Sequence, residues 1–339
     1  MWKLSDNFLF FLLFYFFLLF FFFLYKQYID ANMFVYLVSS VITAILYNYV
    51  FYGYLIVFRQ FEVLLESKNL TSNVSTIAYS FSIRLDRLSF FFTFLVFIIG
   101  LSTNIYTLNY FRNESDESSF LFWLNCFILS MVILVLANNF FTLFLGWELI
   151  GLTSFFLINF WSSRRGTLKS SFKAFTFNLF SDVMLLTTLV ILFGVYNTDN
   201  IPTVLTLVKI KSLPYYSSLY LATVTLIICS GIKSVQIIGH LWLPDSMEAP
   251  VPASSLIHSA TLVSAGIYLL LRFNILIQYT DLCGVVVTIG SITAAYGAIT
   301  SAAQTDVKKL LAYSTMSHCG FLFILSGLIQ WRLLFPHHH

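Results

Sequence analysis

Lys233 lies inside the apolar run LATVTLIICSGIKSVQIIG, and Glu148, Asp182 and His258 lie inside other apolar runs of the same chain. Placing a lysine or an acid at the middle of a bilayer costs about 2.5–3.5 kcal/mol on insertion scales, so such groups face a polar interior and mark paths for ions or protons. A carboxylate, an amine and an imidazole whose ordinary pKa is about 6.5 are the groups a proton relay uses. The chemistry that these residues suggest is therefore proton transfer across hydrocarbon. A static polar network that holds helices together is the plainer alternative.

Helical spacing groups these residues on faces. From Lys233, steps of three and four reach Gln236 and His240, with Cys229 behind, which predicts a polar stripe along one helix. Ser254, His258, Thr261, Tyr268 and Arg272 predict a second stripe, and Asn178 and Asp182, four apart, share a side of a third helix. Glu148 has Gly151 on its own face and Gly146 just before it, which leaves room for water or a close neighbour helix. Glu148 and Lys233 are the expected ion pair, because each charge would restore the charged form of the other. His258 could take the proton next. His240 is a further relay candidate, with a merely solvated helix end as the equal alternative. Lys169 and Lys173 are expected to snorkel to the interface, and Lys308 and Lys309 to anchor a span there.

The elements that must position these groups are transmembrane helices. The chain has 339 residues, 59% of them hydrophobic and 10% charged, with a mean hydropathy of +0.86. Soluble domains carry about a quarter charged residues, so an integral membrane protein is indicated. Ten spans are expected: Phe8–Tyr25, Met33–Phe58, Leu88–Tyr110, Phe120–Ala137, Phe140–Trp161, a sixth ending near Val195, Leu219 to about Leu243, Ala253–Phe273, Leu282–Gln304 and Leu310–Leu328. The first is longer than a signal-peptide core and lacks a small-residue cleavage site, so it reads as a span. A polar loop is expected from Arg59 to Arg87, with sequons at Asn69 and Asn73, and an acidic loop from Arg112 to Glu117. A loop carrying Pro202 and Pro214 should follow the sixth span. The fourth and fifth spans, parted only by Asn138 and Asn139, must be antiparallel neighbours.

Pro244, Pro250 and Pro252 disfavour helix before them, so the seventh span should end or break there. The irregular stretch either lines a cavity, as in broken transporter helices, or is an extramembrane turn; the sequence leaves both open. The net charge of +3 is dispersed and shows no basic stripe for nucleic acid. Lysines and arginines divide almost evenly between alternate faces, so orientation does not follow. Cys126, Cys229, Cys283 and Cys319 stand singly and read as small buried hydrophobes, with no metal site expected. Neither a nucleotide-binding loop nor a nucleophile triad is present.

Several blocks carry a family resemblance. Gly146-Trp147-Glu148-Leu149-Ile150-Gly151-Leu152, then Lys173-Ala174-Phe175, Asn178 and Asp182, resemble the fifth and sixth helices of the subunit 5 family of respiratory NADH:ubiquinone oxidoreductase (complex I). So do Gly231-Ile232-Lys233-Ser234-Val235-Gln236, the run from His240 to Pro250, the run from Ser255 to Val263, and the run from Gln304 to Ser317. Together they cover about Asp86 to Leu328.

The resemblance implies an all-α, multi-span, antiporter-like helix bundle with one five-helix repeat and a broken seventh helix. It divides the chain into N-terminal spans and a polar loop (1–87), a third span and acidic loop (88–119), a half-channel of spans four to eight (120–273) and the start of a second repeat (274–339). It implies a proton-translocating subunit of the membrane arm in the mitochondrial inner membrane, with Glu148 and Lys233 as the key pair and Asp182 and His258 in the relay. FMN, iron–sulfur clusters and ubiquinone would belong to other subunits, so this chain would be part of an NADH:ubiquinone reductase without doing redox chemistry or binding a cofactor. Expected partners are subunit 4, other membrane-arm subunits, lipid and a separate chain supplying the remaining half, since the family continues with an inverted repeat and a lateral helix. On that reading the chain is a split-gene product or a truncated one, and His337 corresponds to a histidine of the next helix. Leu179 departs from the family, which has an arginine there, and this puts the tuning of Asp182 in doubt. A stand-alone Mrp-type cation/proton antiporter and a non-pumping structural subunit are the competing readings.

Overall fold

A computed structural model describes residues 82–111, 116–211, 216–259 and 261–334. The first two expected spans, the sequons and His337 lie outside the described residues, as do most of the two polar loops. Among the described residues twelve helices follow one another: α1 (Arg87–Tyr110), α2 (Glu117–Leu136), α3 (Phe140–Ile158), α4 (Arg165–Tyr196), α5 (Ile201–Lys211), α6 (Tyr216–Lys233), α7 (Trp242–Ser246), α8 (Val251–Ser259), α9 (Leu262–Arg272), α10 (Asn274–Tyr279), α11 (Cys283–Ala302) and α12 (Val307–Leu334). Eight stretches are long and apolar enough to cross a membrane: α1, α2, α3, α4, α6, the α8–α9 pair, α11 and Val307–Leu328 of α12. They overlap, in order, the third to tenth spans read from the sequence.

The three-residue link between α2 and α3, Ala137 to Asn139, makes them antiparallel neighbours. The turn is stitched by backbone bonds from Asn138 to Ser82 O (3.3 Å) and from Ile201 to Asn138 O (2.9 Å), and by a Ser82–Asn139 side-chain bond. Asn139 caps α3, its backbone N–H donating to Thr142 Oγ1. Gly146 lets α2 and α3 approach closely, because a Cβ there would stand 2.7 Å from the backbone nitrogen of Leu134.

Three local expectations are corrected. The segment with Pro202 is not a loop but the helix α5: Ile201, Val204, Leu205 and Val208 recur at helical spacing and are all buried, and proline is tolerated in a first helical turn. The seventh span ends at Lys233, ten residues before Leu243 and well ahead of the prolines. The eighth span is two helices, α8 and α9, so its polar residues do not form one stripe. Tyr268 reaches α2, donating to Val135 O at 2.7 Å, and Arg272 reaches the start of α1, donating to Asp86 Oδ2 at 2.5 Å.

The four cysteines are free; Cys229, Cys283 and Cys319 are buried and Cys126 is half-buried.

Candidate functional site

Lys233 is the last helical residue of α6, and the reason is the backbone that follows. Val235 takes φ 59°. Its N–H bonds Ile232 O at 3.3 Å, and the N–H of Gln236 bonds Gly231 O at 2.7 Å. This pair of bonds is a Schellman motif, which stops a helix through one left-handed residue, a place usually given to glycine. A β-branched residue with positive φ is unusual and marks strain. The expected stripe through Gln236 and His240 is therefore cut. Gln236 instead accepts a hydrogen bond from Thr293 of α11 at 2.6 Å. His240 packs edge-on against Tyr296 of α11, with ring centroids 5.1 Å apart, and its Nδ1 lies 3.1 Å from Ile237 O.

Lys233 is 1% exposed. Its Nζ donates to Trp147 O at 3.2 Å and sits 4.8 Å from the centroid of the Trp147 ring. Asp182 Oδ1 is 3.8 Å away. The amine is thus held by a carbonyl dipole, an aromatic face and a carboxylate, three interactions that each favour its charged form. Gly151, one turn after Trp147 on α3, leaves the space: a Cβ there would meet Nζ and Asn178 Cβ at 3.6 Å each.

The expected direct ion pair of Glu148 with Lys233 is replaced by the contact with Asp182. Trp147 and Gly151 occupy the face of α3 that meets the lysine, and Glu148 is turned about 100° from Trp147 by the helical repeat. Glu148 is half-buried and remains within electrostatic range of both Asp182 and Lys233. Asn178 and Asp182 do share a buried face of α4, with Ser181 beside them donating to Cys229 O at 3.3 Å. Leu179 is 44% exposed on the same helix, so a charge at that position would project outward rather than into this buried group. Among the described residues, both amide atoms of Asn178, Trp147 Nε1 and Asp182 Oδ1 are buried with no partner within hydrogen-bonding distance. Buried polar atoms left in this way are ones that internal water satisfies.

His258 is not adjacent to this group in hydrogen-bonding terms. It is buried on α8, and its Nε2 lies 3.4 Å from Ser246 Oγ of α7. That five-residue helix joins four others. Asp245 pairs with Lys173 of α4 at 2.6 Å, Ser246 meets His258, and Trp242 Nε1 donates to Ile232 O of α6 at 3.1 Å. Just past its end, Met247 O and Ala249 O accept from Lys308 of α12 at 3.3 and 3.5 Å. Lys173 and Lys308 thus hold the proline-rich link rather than simply reaching for the interface, while Lys309 pairs with Asp306. Trp147, Asp245 and Ser246 are the residues that sequence reasoning missed. The signal for Trp147 was its place four residues before Gly151.

Among the described residues no three His, Cys, Asp or Glu side chains gather into a metal-ion site.

Comparison with known proteins places the chain beside subunits of NADH:quinone oxidoreductases and a chain of an Mrp complex. Residues 137–335 match the family model for NADH:quinone oxidoreductase/Mrp antiporter transmembrane segments, and residues 72–121 match that for the N-terminus of complex I chain 5. NADH-ubiquinone oxidoreductase chain 5 of Paramecium tetraurelia is 45% identical over 262 residues, which cover 75% of this chain and 46% of the relative. NADH-quinone oxidoreductase subunit L of Rickettsia typhi is 38% identical over 259 residues, 75% of this chain and 40% of the relative. The chain thus spans under half the length of these relatives. A chain in the structure of the Mrp complex from Dietzia sp. DQ12-45-1b superposes with a TM-score of 0.71 at 29% identity, covering 81% of this chain and 30% of that one.

Proposed function

The chain belongs to the NADH:quinone oxidoreductase chain 5/Mrp antiporter family, and from that premise we propose that it is a proton-translocating membrane-arm subunit of mitochondrial NADH:ubiquinone oxidoreductase. The observation that carries the proposal is the fully buried Lys233 amine, held between Trp147 O, the Trp147 ring and Asp182 at the broken end of α6. Lys233 Nζ is the atom that holds and releases the proton. Asp182 steadies the ammonium, and Glu148, within range of both, biases it from the side. Water or a distant charge that weakens the Asp182 contact would loosen the hold on that proton. His258 and, across the break, His240 are the next candidate carriers. The residues from 120 to 273 would form one half-channel.

NADH oxidation, flavin, iron–sulfur and quinone chemistry would be the work of other subunits, with subunit 4 and a chain carrying a second half-channel among the neighbours. The likeness to the Mrp complex supports a second reading, a cation/proton antiporter assembly. Lys233→Met in the assembled complex tests the first. Measured per assembled complex, proton translocation per NADH should fall sharply, and undiminished pumping would sink the relay. Identification of peptides in the NADH-oxidising band from gently solubilised membranes separates the assemblies. Absence of this chain from that band favours the antiporter.

A further inference from the structure

The bonds around Ser246 decide which nitrogen of His258 is free to titrate. A serine hydroxyl has one proton and two lone pairs. Ser246 Oγ stands 2.5 Å from Leu243 O, a carbonyl that can only accept, so the hydroxyl proton is committed there. The same oxygen lies 3.4 Å from His258 Nε2. With its proton committed, Oγ faces the imidazole as an acceptor, and the neutral ring must then carry its hydrogen on Nε2. Nδ1 is left with a lone pair. It is buried and has no hydrogen-bond partner among the described residues, on a residue that is 7% exposed.

We propose that Ser246 is a positioning residue for proton transfer at His258, fixing the resting proton on Nε2 and leaving Nδ1 as the atom that takes up and returns the transported proton. Uptake at Nδ1 gives an imidazolium with both nitrogens protonated. The Nε2–H bond to Ser246 then becomes charge-assisted and holds the ring in place. Water is the donor on uptake, and release from Nδ1 to water restores the starting tautomer, so the step conserves protons. For the proton to leave instead through Nε2, the hydroxyl must turn away from Leu243 O. The serine therefore sets the side of the ring from which exchange occurs. Ser246 sits next to Asp245, which Lys173 ties to α4, so the setting is anchored to the helix that carries Asp182.

This inference rests on the reading of His258 as a proton carrier, and the test separates the two. In the assembled complex with ring-labelled histidine, infrared difference spectra should contain an imidazole band that disappears in His258→Gln and has the frequency of an Nε2–H tautomer. Ser246→Ala removes the acceptor, so that band should shift toward the Nδ1–H form and protons pumped per NADH should fall several-fold. Ser246→Thr, which keeps the hydroxyl, should restore both. An unshifted band in Ser246→Ala overturns the inference, and so does a shifted band with unchanged pumping. Unchanged pumping in His258→Gln and Lys233→Met instead overturns the relay reading, whatever Ser246 does to the tautomer.

Discussion

Lys233 and Asp182 face each other across α6 and α4 at 3.8 Å, both buried, with Glu148 to one side. A buried pair loses about 3–5 kcal/mol when one partner alone is removed, because the other is stranded, whereas removing both is close to neutral. Asp182→Asn should therefore lower both pumping and the yield of assembled complex. The double change Asp182→Asn with Lys233→Met should recover assembly without recovering pumping. Glu148→Gln, at a half-buried site with no contact to the amine, should leave assembly intact and reduce pumping. Quantifying assembled complex by native electrophoresis beside proton uptake checks all three. Better assembly in Asp182→Asn than in the double variant would contradict the pairing.

Val235 makes a second prediction. A left-handed conformation costs a side-chain-bearing residue about 1–2 kcal/mol relative to glycine, and part of any gain from glycine is offset by its greater unfolded-state freedom. Val235 is also fully buried, and removing a buried valine side chain forfeits about 1.5–3 kcal/mol, more than the strain relieved. Val235→Gly should therefore lower the midpoint for loss of the assembled complex. A higher midpoint would mean that backbone strain outweighs the packing.

These two sites show what was and was not legible in the sequence. The eight described spans were readable because each is an apolar run of bilayer length bounded by polar residues. The intramembrane charges were readable because a bilayer makes them conspicuous. The helix break was not, because the stop is a Schellman turn built on valine, and composition marks such turns only when glycine makes them. Placing the break at the prolines in turn joined Lys233, Gln236 and His240 into one stripe, when the last two in fact face α11. The Asp182 contact was missed for a related reason. Spacing shows which residues share a face of one helix, but which face of α3 meets α6 depends on how the helices pack.

The glycines of α3 should respond differently to the same substitution. Gly146→Ala would drive a methyl to 2.7 Å from the backbone of Leu134, where nothing flexible can give way. Such overpacking costs about 1–3 kcal/mol. Gly151→Ala would place its methyl at ordinary contact distance from Lys233 Nζ and Asn178, so assembly should be preserved. Gly151→Leu should instead displace the amine and stop pumping. Comparing the amount of assembled complex across the three variants checks the order, and equal loss in both alanine variants would contradict it.

The Lys173–Asp245 pair yields the last prediction. Its side chains are 35% and 45% exposed, and solvent-exposed pairs contribute only about 0–1 kcal/mol, so neutralising either partner should barely change stability. Its importance lies in what Asp245 carries: the neighbouring Ser246 touches His258, and Trp242 on the same short helix holds Ile232 O beside Lys233. Loosening that helix disturbs both candidate carriers at once. Asp245→Asn should therefore reduce protons pumped per NADH without reducing the amount of assembled complex. The charge swap of Lys173→Asp with Asp245→Lys should restore pumping, because it rebuilds the tie with the signs reversed. A pair this exposed is also partly screened by salt, so wild-type coupling should weaken as ionic strength rises while Asp245→Asn stays flat. If the variant and wild type share one salt dependence, the pair is not what fastens the helix.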